Sequence, residues 1–367
     1  MVVGLSQALA GAGAQVTLLT TNSNGDAGQA PLDVPIGQPI LQDGYEIRYF
    51  RCAPWRRYKF SIALLQWLWQ HATEFDVAHI HALFSPISTA AAMVCRWRGL
   101  PYVLRPLGTL DPLDLQKKRR LKQWYGRLLE RRNLSGAAAV HFTSVEEAKI
   151  SERFGAATRD WVVPLGVPLP LDLVRSPREA GAAPVILFMS RLDRKKGLDI
   201  VIPALETLAV SGLNFRLVVA GNNVQDPDYE RSIADYLSRS HLSDRSEMLG
   251  FVTGDRKRQL LATADLFVLP SYYENFGIAV AEAMAAGVPV VISDRVQIWP
   301  DVAEAEAGWI CTCDVSSFAD AVRSALADGA ERQRRGQNAR ACAAARYSWP
   351  AIAQKLLTAY GEIPRTR

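Results

Sequence analysis

Two carboxylates, Glu274 and Glu282, stand eight residues apart in YYENFGIAVAEAMAAGVPVV, and the second sits among residues that are otherwise small and apolar. From Gly277 to Gly287 the segment reads as an alanine-rich helix closed by glycine, followed by a proline and a β-branched strand. A helix this apolar on every side is buried, and a buried carboxylate is costly without donors. Glu282 therefore needs partners. They are either protein groups, making a structural ion pair, or hydroxyls of a ligand, and burial alone does not choose between them. Upstream, MSRLDRKKGLDIVIPAL follows a strand and sets Arg191 and Lys196 five apart at the start of a helix. A guanidinium fork, an ammonium and a helix N-terminus together suit a diphosphate. The plain alternative is a solvated basic turn. Gly221, closing RLVVAG, permits close backbone approach at the end of a strand.

The elements that must position these groups alternate strand and helix throughout, the pattern of parallel α/β sheets. QVTLLTTN, DVAHIHAL, YVLRPL and AVHFTS read as strands of a first half. VILFMS, RLVVAG, SEMLGFV, LFVLPS and VPVVIS read as strands of a second. The proline-rich stretch around 167–183 lacks helical periodicity and reads as the linker. The chain opens inside a helix, since VVGLSQALAGAG has helical apolar spacing and a glycine stop. A doubly wound domain opens instead with a strand, central in its sheet, and a glycine-rich turn. The expectation is that this strand and turn, roughly 20 residues, belong upstream of Met1.

Taken together, SRLDRKKGLD, VVAGNN, LGFV and the pair Glu274/Glu282 in ENFGIAVAEAMAAGVPVV resemble the retaining GT-B glycosyltransferases of family 4 (glycosyl transferases group 1), which include sucrose synthases and bacterial mannosyltransferases. The resemblance runs over essentially the whole chain. It implies two Rossmann-like doubly wound domains facing a cleft, residues 1–167 for the acceptor, completed by a C-terminal helix over 350–367, and residues 168–349 for a nucleotide sugar. It implies that Glu282 receives ribose hydroxyls and Glu274 hydroxyls of the donor sugar, while Arg191 and Lys196 bind the diphosphate. By the same carry-over, Phe276, Gly277 and Ile278 contact sugar and phosphate through their backbone, and Gly221, Gly250, Phe251 and Val252 lie around the nucleotide. The family retains anomeric configuration, commonly explained by front-face attack in which a donor phosphate oxygen takes the acceptor's proton. Neither a protein nucleophile nor a metal is then required. A paired-carboxylate hydrolase would leave Arg191 and Lys196 without a task.

The first half departs from the family pattern. Relatives often carry PHG after the strand that here reads YVLRPLGTLDP, and this chain has Leu107 in place of the histidine, with Arg105 two residues before it. Arg105 is a candidate for the vacated role. His79 and His81 alternate on a strand and point the same way, so His81 is a candidate for the acceptor side or a buried structural histidine. Residues 113–133 hold eight basic and two acidic side chains with Leu121, Trp124, Tyr125, Leu128 and Leu129 interleaved, and APWRRYK adds Trp55, Arg56, Arg57, Tyr58 and Lys59 upstream. This suits an anionic membrane surface, or an ordinary helix with a solvated basic face. No nucleic-acid recognition motif accompanies the charge.

Bulk properties agree with a globular enzyme. At 367 residues the chain predicts two domains, and 49% hydrophobic and 22% charged residues with mean hydropathy near zero predict a soluble fold. The net charge is +5. No basic residue precedes Arg48, so no signal peptide is read, and a cytoplasmic location follows. Five cysteines in mostly apolar stretches read as reduced thiols, and Cys311 and Cys313 lack the further ligands a metal needs. The expected activity is transfer from a UDP- or GDP-sugar to a glycan or lipid-linked oligosaccharide at the inner face of the plasma membrane, in bacterial polysaccharide biosynthesis. Two other readings stay open: an N-terminally truncated relative that binds nucleotide without turnover, and a sugar-nucleotide epimerase of the same fold.

Overall fold

The computed structural model describes residues 1–25, 29–55, 58–110, 124–152, 154–170 and 181–364. The chain forms two compact units, one from Met1–Gly166 with Trp349–Arg367 and one from Val167–Ser348. The first runs α1 (Val2–Gly11), β1 (Thr17–Thr21), β2 (Pro39–Gln42), β3 (Tyr45–Phe50), α2 (Ile62–His71), β4 (Ala78–His81), α3 (Pro86–Arg98), β5 (Tyr102–Arg105), α4 (Arg131–Ser135), β6 (Ala139–Phe142), α5 (Val145–Glu152) and β7 (Asp160–Val162). Its strands lie in two sheets, ordered β1-β3-β2 and β4-β5-β6-β7 among the described residues. β1 and β4 each end a sheet and are only half-buried, whereas β5 and β6 are buried along their whole length. β2 pairs antiparallel with β3 through a turn at Asp43 and Gly44, both left-handed. Asp-Gly is a strong hairpin signal that the alternating α/β pattern had masked.

In the second unit, β8 (Val185–Met189), α6 (Leu198–Val210), β9 (Arg216–Ala220), α7 (Pro227–Arg239), β10 (Ser246–Met248), α8 (Gly254–Thr263), β11 (Leu266–Leu269), α9 (Ile278–Ala285), β12 (Val290–Ser293), α10 (Trp299–Glu304) and β13 (Gly308–Cys311) are followed by α11 (Val315–Ala327) and α12 (Gly329–Arg346). The sheet is wholly parallel, in the order β10-β9-β8-β11-β12-β13. This is the doubly wound arrangement, and its order reverses between β8 and β11. β11 and β12 are buried throughout, as expected of strands covered on both faces. Local chemistry sets the helix starts: Asp226 caps α7 by accepting from the Tyr229 N–H, with Pro227 as first helical residue, and Asp314 and Asp328 cap α11 and α12.

The last helix, α13 (Trp349–Gly361), belongs to the first unit. Its Ile352, Ala353 and Leu356 share a core with Leu5 and Leu9 of α1 and with Val103, Ala139 and Trp161. Trp349 is wedged where Gly4 and Gly166 leave room, since a Cβ on either glycine would collide with the indole.

Candidate functional site

The reversal point of the second unit's sheet is where the chemistry gathers. Past the end of β8 the chain turns through Ser190 and Arg191, and past β9 it turns at Gly221, with φ of 140°. A Cβ there would run into the Ser190 carbonyl oxygen, so only glycine lets the two strand ends approach. Its N–H donates to the Gly250 carbonyl at 2.7 Å, tying in the loop after β10. Asp193 pairs with Arg191 at 3.2 Å and caps the 3₁₀ turn Arg194–Lys196. The fork and the ammonium therefore belong to a loop and a tight turn ahead of α6, not to its first turn.

After β11 the chain reaches Glu274, whose backbone is pinned on both sides to the loop after β12: its N–H donates to the Arg295 carbonyl at 3.1 Å and its carbonyl accepts from Gln297 at 3.0 Å. Its carboxylate accepts from the buried Lys196 ammonium. Gly277, left-handed at φ 81°, then opens α9, and Gly277, Ile278 and Ala279 line the cavity. Glu282 stands on the same helix, and its Oε1 accepts from Lys257 Nζ of α8 at 2.7 Å. Glu282 is thus an ion-pair member and a cavity wall together.

The cavity these residues enclose is about 490 Å³. Of the residues read from sequence, Arg191, Gly221, Phe251, Val252, Glu274, Gly277, Ile278 and Glu282 line it. Lys196 lies beneath Glu274, Gly250 supports the floor through its carbonyl, and Phe276 packs its ring edge-on against Tyr347, 5.3 Å away. Lys257 and the pair Asn222 and Asn223 also line the cavity. The asparagines stood inside a quoted motif, but no spacing rule ties Lys257 to Glu282, because they come from different helices. Phe251 presents its ring to the solvent at the rim, 71% exposed.

His81 and Arg105 belong to the first unit and face each other in register across β4 and β5. His79 and His81 stack, with centroids 4.7 Å apart. The neighbouring bonds fix the tautomers. His141 Nε2 lies 2.8 Å from the Val163 carbonyl and must carry a hydrogen; His141 Nδ1 then accepts from His79 Nε2 at 3.3 Å, and His79 Nδ1 accepts from the Tyr360 hydroxyl at 2.5 Å. Burial holds all three rings neutral: His141 is lowered to about 4, His81 to about 3 and His79 well below its ordinary value. Burial also lowers Arg105, to about 10. Leu107 is exposed and left-handed. Residues 113–123 of the basic segment, with Arg56 and Arg57, lie outside the described residues. Cys311 and Cys313 each place sulfur 3.4 Å from a backbone carbonyl. Among the described residues no group of three or more potential ligands is arranged to hold a metal ion, and no helix is long and apolar enough to cross a membrane.

Residues 1–166 match the glycosyl transferase 4-like domain and residues 173–341 the glycosyl transferases group 1 family. An uncharacterized glycosyltransferase of Methanocaldococcus jannaschii is 34% identical over 48% of this chain, a match spanning less than half of that relative's length (44%). A D-inositol 3-phosphate glycosyltransferase of Xylanimonas cellulosilytica is 28% identical over the whole chain and 91% of its own length. Among solved structures, sucrose-phosphate synthase from Thermosynechococcus elongatus superposes with a TM-score of 0.73 at 22% identity, covering 98% of this chain and 92% of that one. The HepE protein of Anabaena, in complex with UDP-glucose, gives 0.66 at 21% identity over 86% and 85%.

Proposed function

The chain belongs to the GT-B glycosyltransferases of family 4, each of its two Rossmann-like units carrying one of the family's domains, and on that premise we propose that it is a retaining, metal-independent glycosyltransferase of hexosyl type. The observation that carries the reading is the convergence of Arg191, Glu274, Glu282 and the opening residues of α9 on one cavity at the sheet's reversal point. Breaking a sugar–diphosphate bond leaves negative charge on the diphosphate. Arg191 and the α9 amides, already oriented, stabilise that charge, and Lys196 adds positive field while holding Glu274 at the sugar hydroxyls. Glu282 accepts from the ribose, and Phe251 and Val252 flank the base. No protein nucleophile is needed when the donor's own phosphate oxygen takes the acceptor's proton on the face that the leaving group vacates.

The donor in this reading is a UDP- or GDP-sugar, in line with the UDP-glucose bound by the Anabaena neighbour. The acceptor is a glycan or lipid-linked oligosaccharide held by the first unit, as in bacterial polysaccharide biosynthesis, with the protein resting on the inner face of the plasma membrane. Exposed Trp69, Trp97 and Trp124 on that unit support such contact. The test is a thermal melt with excess UDP-, GDP- and ADP-sugars, because a ligand of the folded state alone raises Tm. One nucleotide class is expected to raise it, and Glu282→Ala to remove the rise. Indifference to all three would overturn the reading.

A further inference from the structure

A second polar cluster occupies the carboxyl ends of β4 and β5. His81 and Arg105 are the last residues of these strands and register partners, at the end of a parallel sheet where ligands bind. Arg105 is only 2% exposed, and a buried guanidinium whose donors are unmet is costly. Among the described residues its Nε and Nη2 have no hydrogen-bond partner, nor has Nδ1 of His81. Nε and Nη2 form the side-on edge of the guanidinium, which matches two oxygens of one carboxylate or phosphate.

The neighbours that could have satisfied them are engaged elsewhere. Glu147 is the carboxylate whose charge acts on Arg105, but its Oε1 accepts from the Gly108 N–H at 3.0 Å and its Oε2 from the N–H and hydroxyl of Thr143, both at 2.7 Å. His79 and His141 are used in the chain from Tyr360 to Val163. The loops leaving the two strands carry Ala82, Phe84 and Leu107 in left-handed conformations, at φ 74°, 56° and 58°. Strain of this kind in residues other than glycine gathers at ligand sites.

We propose that Arg105 and His81 form a binding site for an oxyanion, a phosphate or carboxylate group carried by the acceptor. The inference rests on the transferase reading and names the chemistry of its acceptor. Arg105 contributes charge and the two-pronged donor, and neutral His81 contributes its Nδ1–H. Because the fork is sealed from solvent, the oxyanion enters as the left-handed loops move.

Melting of the full chain, with and without saturating UDP or GDP, in titrations of inorganic phosphate and of glucuronate, tests this. One of the two anions is expected to raise Tm beyond the nucleotide's own effect, phosphate marking a phosphorylated acceptor and glucuronate an acidic sugar. Arg105→Met is expected to abolish that rise, leave the nucleotide's rise intact, and melt higher than the parent when unliganded, because it removes buried donors that have no acceptor. His81→Asn, a milder change, is expected to weaken the anion response several-fold. An anion response unchanged by both substitutions, or no response to either anion beside a normal nucleotide response, would overturn the site and leave the donor reading standing. An Arg105-dependent anion response without any nucleotide response would support the site and sink the donor reading.

Discussion

Lysines pair with both carboxylates of the cavity, Glu274 with Lys196 and Glu282 with Lys257, so neither partly buried acid lacks a counter-ion. His79, His81 and His141 of the first unit solve the opposite problem: desolvation keeps them neutral, and that has a pH signature. His141 and His81 titrate near 4 and 3 in the folded chain, against an ordinary value of 6.5. Below pH 6.5 the unfolded chain takes up protons that the folded chain refuses. Stability is therefore complete above that value and is lost as pH falls toward 4, by about 1.4 kcal/mol per pH unit for each ring kept neutral. Urea midpoints measured from pH 8 to 5 are expected to be flat above 7 and to fall steadily below 6.5, before carboxylates contribute. A flat profile from 6.5 to 5 would mean that these rings accept protons without unfolding the unit.

At the scale of elements, the second unit depends on how closely β8 and β9 end beside each other. Gly221→Ala would place a methyl against the Ser190 carbonyl at a φ that side chains rarely adopt, which costs about 1–3 kcal/mol. The strain falls on the turn bearing Arg191. A lower urea midpoint is expected together with a smaller nucleotide-induced rise in Tm, and an unchanged nucleotide response would show that Arg191 is placed independently of that contact. These strands were legible because each is an apolar run bounded by turn residues, and so were Arg191, Glu274 and Glu282, whose neighbours in sequence form ordered motifs. Other features were not legible. Lys257 meets Glu282 only because α8 packs near α9, and the Lys196–Glu274 pair spans 78 residues of chain. The hairpin of β2 and β3 is marked in sequence by little besides Asp43-Gly44, because β2 is short and largely exposed. The division of the first unit into two sheets depends on which strands find neighbours, which periodicity does not encode.

For the molecule as a whole, the question is what surrounds the outer side of α2 and α3. Ile62 and Trp69 lie seven residues apart on α2, hence on one face, and both are exposed. Trp97 of α3 meets Trp69 edge-on at 6.3 Å, and the Arg98 guanidinium lies over the Trp69 ring at 5.3 Å. From Arg51 to His71 and again from Pro86 to Arg105 the sequence holds no acidic residue, while Arg51, Arg56, Arg57, Lys59, Arg96 and Arg98 all belong to these stretches. Exposed indoles beside Arg98, in stretches of sequence that carry cations and no acids, suit the headgroup region of an anionic bilayer, where tryptophan sits at the interface and each nearby cation adds about 1 kcal/mol. The protein is accordingly expected to sediment with phosphatidylglycerol vesicles at low salt, to bind neutral phosphatidylcholine vesicles weakly, and to release as salt rises and screening shortens the reach of the charges. Trp69→Ser with Trp97→Ser should lower binding at every salt concentration, since it removes the apolar part, while the nucleotide response in the other unit persists. If the parent stays in the supernatant at low salt, the membrane reading fails. If light scattering instead shows a dimer that the double substitution dissolves, the indoles cover one another between two copies of this chain.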